Sequence, residues 1–312
     1  MPLIPNQISN YTQWSEIRQS IPVFTPLIDH IMQKEKLPLA KIEELEPGMH
    51  AIFKVGDCVV KIFAPIEHSG KIIGEDYERE LHGIKWASAC GVRVPKLLAH
   101  GTIEDLCSFQ YMIMELLPGD TLGNLDAEGA FSYKDKVAIG QKMRELTDKL
   151  NLPCDGFKSH DILSHALKNP EWREEGYPHS FLEELADYLK NVQIGAKVYC
   201  HGDLHADNVL ADESLSLAII DFAESVNAPI EYEHAYVACA LFAFEKPYME
   251  GYFGEDYVIQ DILDLCMAWL PIHAWGHDLL EEIGPAEEIT SFAVLRERLT
   301  EWIEEGLEEE DE

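Results

Sequence analysis

The sequence is short of positive charge. Its 24 Lys and Arg stand against 57 Asp and Glu, a formal net charge of −33, which argues against nucleic acid as a partner, since phosphate backbones demand clustered basic side chains. Paired cysteine spacing is also missing. Seven scattered cysteines with no C-x-x-C argue against a disulfide framework or a zinc site and fit a reducing cytoplasm. The longest wholly apolar run, residues 237–244, is far below the roughly 20 residues that span a bilayer. Residues 1–10 lack the basic-then-apolar order of a secretory leader. A cytoplasmic protein with no membrane partner is therefore expected. The chain carries no P-loop, dinucleotide fingerprint, nucleophile elbow or internal repeat.

What is present suits two lobes, because 312 residues at 46% hydrophobic content can bury a sizeable core. The charge is unevenly spread. Residues 1–117 hold 11 basic and 15 acidic side chains, so the remaining 13 and 42 leave residues 118–312 at −29. Between residues 198 and 295 the only Lys or Arg is Lys246. That field either favours a cationic ligand or simply keeps the protein in solution.

The chemistry is concentrated in one stretch. Residues 198–210 read Val-Tyr-Cys-His-Gly-Asp-Leu-His-Ala-Asp-Asn-Val-Leu, and residues 217–224 read Leu-Ala-Ile-Ile-Asp-Phe-Ala-Glu. Two short apolar strands are predicted to deliver Asp203, Asn208 and Asp221 to one place. Phosphoryl transfer needs such groups, because it asks for positioning and charge neutralisation by Mg²⁺ more than for covalent help. Mg²⁺ prefers oxygen. The Asp221 carboxylate and the Asn208 carbonyl suit the ion, leaving Asp203 to orient an acceptor hydroxyl and take its proton.

The spacing follows the kinase catalytic loop with substitutions: His201-Gly202-Asp203 for His-Arg-Asp, His205 for the usual Lys, and Asp221-Phe222-Ala223 for Asp-Phe-Gly. On His201-Gly202-Asp203-Leu204-His205-x-x-Asn208 and Ile219-Ile220-Asp221-Phe222 the chain resembles the aminoglycoside phosphotransferase and choline kinase family. The resemblance covers about residues 41–244. It implies an α+β, two-lobed protein-kinase-like fold: a small β-rich nucleotide-binding N-lobe (1–117), a larger, mainly helical C-lobe with the catalytic loop and acceptor-binding helices (118–300), and an acidic tail (301–312).

In the N-lobe, Thr25 reads as the N-cap of a helix with Pro26 at its first position, ended by Pro38. Strands are expected at 41–46, 50–55 and 58–63, the last two joined by Gly56-Asp57. The loop 47–50 has one glycine and is either a phosphate-covering loop or an ordinary turn. Lys61 is a single cation in an apolar strand and needs an anion nearby. Glu78 and Glu80 compete for that role on a predicted helix, 74–89. The resemblance selects Glu80, has it hold Lys61 at the α- and β-phosphates, and leaves Glu75, Glu78 and Arg79 on a solvated face. A strand at 109–116 leads to Leu117-Pro118-Gly119, a break in pattern. There the resemblance implies a hinge, with backbone groups near Glu115 and Leu117 on the purine edge. Met112 or Met114 then packs beside the base or in the core. ATP and GTP both remain open.

The C-lobe is expected to hold helices at 132–150 and, opened by a capping box at Ser180 and Glu183, on to Val192. From Asp221 to a helix near Tyr232 is a loop of about ten residues, too short for an activation segment that grips a polypeptide. A small-molecule acceptor follows. The family often has Leu-His where this chain has Leu150-Asn151. Glu233 stands where the family usually has Asp and is expected to brace the catalytic loop, with His201 as a hydrogen-bonded buttress; His205 lies near the transferred phosphate or is structural. Glu245, Glu250, Asp256, Asp261 and Asp264 alternate with Phe244, Tyr248, Tyr252, Phe253, Trp269 and Trp275; they either hold a cation or are solvated helix positions. Residues 308–312 are expected to be disordered or frayed. The expected activity is Mg²⁺-dependent transfer of the γ-phosphoryl of ATP or GTP to a hydroxyl of a cationic small molecule, an aminoglycoside or related antibiotic. A metabolite kinase for choline, ethanolamine or an amino sugar is the alternative, and a non-catalytic nucleotide-binding regulator is the other class. A monomer or homodimer is expected.

Overall fold

A period-two pattern organises the first strands. In β2 (Ala51–Val55) Ala51, Phe53 and Val55 are buried while Ile52 and Lys54 are not, as a strand with one covered face requires. It pairs antiparallel with β1 (Ile42–Glu44) and, through the turn at Gly56-Asp57, with β3 (Cys58–Ile62). β4 (Leu97–Glu104), which sequence patterning did not disclose, and β5 (Ser108–Glu115) complete a five-stranded sheet in the order β1-β2-β3-β5-β4. The structure, a computed structural model, describes residues 2–5, 8–46, 48–67 and 72–308. Contacts divide the chain into two units, residues 1–85 with 94–118 and residues 86–93 with 119–312.

In the first unit, α1 (Tyr11–Ile17) and α2 (Ile21–Lys34) share a core with the sheet. α2 buries Phe24, Leu27, Ile28, Ile31 and Met32, and Phe24 lies 5.7 Å from Trp14 and 5.4 Å from Phe53. The helix starts earlier than the Thr25-Pro26 signal suggests. Ser20 precedes it, Pro22 occupies its first turn and Pro26 lies inside, while the Thr25 hydroxyl donates back to the Ile21 carbonyl at 2.7 Å. Ser20-Ile21-Pro22 offers the same opening one turn sooner. The added turn buries Phe24 on the existing stripe, and this outweighs the one backbone bond that Pro26 forgoes. α3 (Glu75–Ala89) follows β3.

The second unit is mainly helical: α4 (Leu122–Ala127), α5 (Tyr133–Leu150), α6 (Ile162–Lys168), α7 (Glu171–Glu174), α8 (His179–Asn191), α9 (Ile230–Tyr236), α10 (Lys246–Phe253), α11 (Ile259–Trp269), α12 (Gly276–Glu281) and α13 (Phe292–Glu308). Two small sheets lie among them. β8 (Val209–Ala211) runs between β6 (Asp120–Thr121) and β9 (Leu217–Ile219), and β7 (Val198–Cys200) pairs with β10 (Val226–Ala228). Among the described residues no helix is long and apolar enough to cross a membrane.

Two expectations about helix ends are corrected. Ser132 does cap α5 in a box with Asp135, but the box at Ser180 does not form. α8 starts at His179 after Pro178, and the Ser180 hydroxyl is drawn to the Thr290 carbonyl at 2.7 Å, a tertiary partner that the local pattern cannot reveal. Residues 301–308 are the last turns of α13 rather than a tail, with Ile303 buried and Trp302 edge-on to Phe244 at 4.8 Å. Residues 309–312, where disorder was expected, lie outside the described residues.

α5 and α10 meet at two glycines. A Cβ on Gly140 would come within 2.3 Å of the Tyr248 carbonyl oxygen, and one on Gly251 within 2.2 Å of that of Val137. Backbone oxygens cannot swing aside. Gly251→Ala is therefore expected to destabilise the protein by about 1–3 kcal/mol, seen as a lower urea midpoint at unchanged slope. An unaltered midpoint would mean that the two helices separate at no cost.

Candidate active site

β7 and β10 pair Cys200 with Val226, and the chain between them turns back on itself. Gly202 has φ +80°, and a Cβ there would lie 2.4 Å from the Glu224 carbonyl oxygen. No larger residue fits, which accounts for glycine where protein kinases carry arginine. Glu233, fully buried on α9, accepts hydrogen bonds from the backbone N–H of His201 (2.8 Å) and of Gly202 (3.0 Å). Burial raises its carboxyl pKa, opposed in part by those N–H groups. The position singled out in the sequence as a brace thus grips the loop at His201 and Gly202 by its backbone.

His201 joins this loop to the next. Its Nδ1 accepts from the Asp203 N–H at 3.3 Å, so its Nε2 is the donor to the Ile220 carbonyl at 2.9 Å. Asn208 ends a 3₁₀ turn and donates through Nδ2 to the Asp203 carbonyl (2.8 Å) and Oδ2 (3.3 Å). Its main-chain carbonyl accepts from Ile220 N–H at 3.0 Å, next to the pairing of β8 with β9. These bonds tie the Asp203 loop to Asn208 and to Ile220, the residue before Asp221. Asp221 takes φ +59°, an uncommon left-handed conformation of the kind that functional loops retain.

The carboxylate of Asp203 is held on both oxygens. Oδ1 accepts from the Tyr236 hydroxyl at 2.8 Å, and Oδ2 lies 3.7 Å from His205 Nε2. Burial alone would raise its pKa, but the bond and charge of His205 and the bond from Tyr236 hold it below the ordinary value. His205 moves the other way. Burial disfavours its imidazolium, yet Asp203, Asp207 and Asp221 together raise it above the usual histidine value. Tyr236 ends α9 just before a π-helical turn at Val237–Leu241 and stacks on His273 at 4.2 Å, which also stacks on Tyr232 at 4.1 Å. Burial brings His273 down to about 3, against the pull of Asp203. Tyr236→Phe removes one orienting bond to a charged group, and kcat is expected to fall about tenfold with nucleotide affinity unchanged. An unaltered kcat would show that Asn208 and His205 suffice to orient Asp203.

In the first unit, Lys61 Nζ lies 3.2 Å from Glu80 Oε2, both side chains being at most 3% exposed, so neither charge is left without its counter-ion. Glu78 is exposed. Arg79, expected on a solvated face, is buried, because it lies one turn beyond the buried Asp76 and beside Glu80; its guanidinium reaches Glu75 at 3.8 Å. A buried pair absent from the sequence reading joins His50, just before β2, to Asp76 on α3 at 3.2 Å. Of the loop after β1, Pro47 is outside the described residues. The Gly48 and Met49 carbonyls accept from Arg18 Nε and Trp14 Nε1, each at 2.8 Å. Met112 and Met114 are buried; Glu115, at the end of β5, is exposed and its N–H donates to the Lys96 carbonyl at 2.9 Å. Leu117 is half-buried two residues before the second unit resumes at Gly119.

The acids proposed for a cationic ligand do not gather. Glu245 pairs with Lys136, Glu250 accepts from the Tyr133 hydroxyl at 2.6 Å and Asp264 pairs with Arg296 at 2.7 Å. Asp256 and Asp261 are exposed, while Phe244, Tyr248 and Tyr252 are buried. α10 and α11 turn their apolar stripes inward and their acids outward. The aromatic groups beside Asp203 are instead Tyr236 and His273. The only sequence signal for them was the pair His273 and His277 around Trp275, in a segment without Lys or Arg.

A sheet unit with a buried Lys–Glu pair and a helical unit with this loop define a protein-kinase-like phosphotransferase. The model of the phosphotransferase enzyme family matches residues 56–261, about two thirds of the chain, and the protein belongs to that family. No curated protein matches the sequence. Among solved structures, the GDP complex of aminoglycoside 2'-phosphotransferase-IIIa is similar at 18% identity and TM-score 0.56, over 90% of this chain and 94% of that one. A mutant aminoglycoside phosphotransferase APH(4)-Ia with AMP-PNP and hygromycin B is similar at 16% identity and TM-score 0.57, over 89% and 98%. Ethanolamine kinase from Plasmodium vivax is similar at 13% identity and TM-score 0.52, over 96% and 94%. At such identities the likeness is one of fold.

Proposed function

We propose that the protein transfers the γ-phosphoryl group of ATP or GTP to a hydroxyl of a cationic small molecule, an aminoglycoside or related antibiotic. The observation that carries this is the Asp203 carboxylate, kept ionised and oriented by Tyr236, His205 and Asn208 beside Asp221. In this reading Asp203 accepts the hydroxyl proton as the acceptor oxygen bonds to the γ-phosphorus, and the bond from that phosphorus to the bridging oxygen breaks to release the nucleoside diphosphate. Lys61, held by Glu80, contacts the α- and β-phosphates, and backbone groups near Glu115 and Leu117 meet the purine. Asn208 and Asp221 suit Mg²⁺, since Asn208 turns its amide nitrogen to Asp203 and His205 and so keeps its oxygen for a hard cation beside a carboxylate. The ion, when bound, supplies charge neutralisation on the phosphates. By this assignment residues 1–117 serve the nucleotide and 118–300 the acceptor.

The acidic charge of residues 118–312 and the antibiotics named in the similar structures support the aminoglycoside. The likeness to an ethanolamine kinase supports a second reading, a metabolite kinase for a small amino alcohol. A mass-spectrometric screen of amines and sugars with Mg²⁺-ATP or Mg²⁺-GTP decides between them by which compound gains one phosphoryl group. Products confined to neutral or anionic compounds would overturn the charge argument.

A further inference from the structure

The described residues hold one further group of histidine and carboxylate side chains whose ligand atoms converge. It joins the α7 region to α12. His277 is 2% exposed, and its Nε2 lies 2.9 Å from Glu171 Oε2, 3.3 Å from Glu175 Oε1 and 3.7 Å from Asp278 Oδ1. The ligand atoms of Glu175, His277 and Asp278 all lie within 4.8 Å of one another. The ring is held in place: Trp172 packs edge-on at 5.9 Å, and the Tyr177 hydroxyl donates to the His277 carbonyl at 3.0 Å.

The cluster is short of positive charge. Two of its buried atoms, Glu175 Oε2 and His277 Nδ1, have no hydrogen-bond partner among the described residues. Three carboxylates crowd a single buried imidazole, and one divalent ion would relieve them.

We propose that Glu171, Glu175, His277 and Asp278 form a Zn²⁺ site that staples α7 to α12, built from residues other than those assigned to the reacting phosphates. Tetrahedral ligands at about 2.0–2.2 Å from zinc stand about 3.3–3.6 Å from one another, and the separations of 2.9, 3.3 and 3.7 Å from His277 Nε2 bracket that value. An imidazole among carboxylates suits a borderline first-row ion better than Mg²⁺ or Ca²⁺, and no cysteine takes part, so the cysteine spacing that argued against zinc does not bear on it.

The test uses the full chain, stripped with a chelator, desalted and titrated with ZnCl₂ by calorimetry without nucleotide. One tight site per chain is expected, with a higher melting temperature on loading. His277→Gln and Glu175→Gln are each expected to weaken zinc by at least about tenfold, whereas Asp221→Asn keeps it. Since His277 is buried, its variant is checked for fold by circular dichroism, and Glu171→Gln, at the exposed edge, provides a second deletion in a folded protein. Absence of tight zinc binding in the wild type, retention in all three cluster variants, or loss in Asp221→Asn would overturn the proposal. The readout needs no turnover, so its failure leaves the phosphotransferase reading standing, and failure of that reading leaves the zinc site standing.

Discussion

Asp203→Ala is expected to lower kcat by about 10³-fold while the protein stays folded and binds nucleotide. The loss follows from what that side chain alone provides. It is the carboxylate in the loop whose two oxygens are both oriented, by Tyr236 at 2.8 Å and by Asn208 at 3.3 Å, and a positioned general base contributes about 10²–10⁴-fold. The fold should tolerate the change, because the backbone bonds of Asp203, to His201 Nδ1 and Asn208 Nδ2, do not use its side chain. Steady-state kinetics on any acceptor found by the phosphoryl-gain screen, run beside nucleotide titration, separates the two effects. A variant with near wild-type kcat would remove Asp203 from the reaction.

Glu233→Ala acts on stability instead. The carboxylate is fully buried and accepts from two backbone N–H groups, those of His201 and Gly202. Alanine leaves both donors in the core without an acceptor, each at about 1–3 kcal/mol, and opens a cavity besides. A loss of about 3–5 kcal/mol is expected, measured as the shift in urea midpoint at constant slope. A loss below about 1 kcal/mol would show that water replaces the carboxylate and that the loop carries its own shape. Turnover should fall as well, since Asp203 sits one residue beyond the gripped segment.

The loop from His201 to Asn208 stood out in the sequence because phosphoryl transfer fixes residue types at fixed spacings. Asp203, Asn208 and Asp221 need no tertiary information to be noticed, and Lys61 stands out as a cation in an apolar strand. Glu80 was separable from Glu78 only by resemblance, and burial of one beside exposure of the other is the physical difference. Positions whose state depends on a distant partner were not legible. Ser180 has the local chemistry of a cap, yet its hydroxyl goes to Thr290. Arg79 reads as a surface residue, yet it lies in the arc of α3 that is covered. The alternating acids and aromatics after residue 244 suggested a binding surface, but helical geometry puts the two kinds on opposite faces. Tyr236 was hidden for the converse reason: in sequence it is one of two tyrosines in α9, and only the turn of that helix brings its hydroxyl to Asp203.

In the proposed reaction Asp203, Asn208 and Asp221 divide the work, the first acting on the acceptor and the other two on the metal-bound phosphates. Mg²⁺-nucleotide affinity of Asp203→Ala and Asp221→Ala, determined side by side by calorimetry, tests it most directly. The account predicts that Asp203→Ala binds within about twofold of wild type while Asp221→Ala is weaker by about tenfold or more, with both inactive. Wild-type nucleotide affinity and turnover in Asp221→Ala would contradict it.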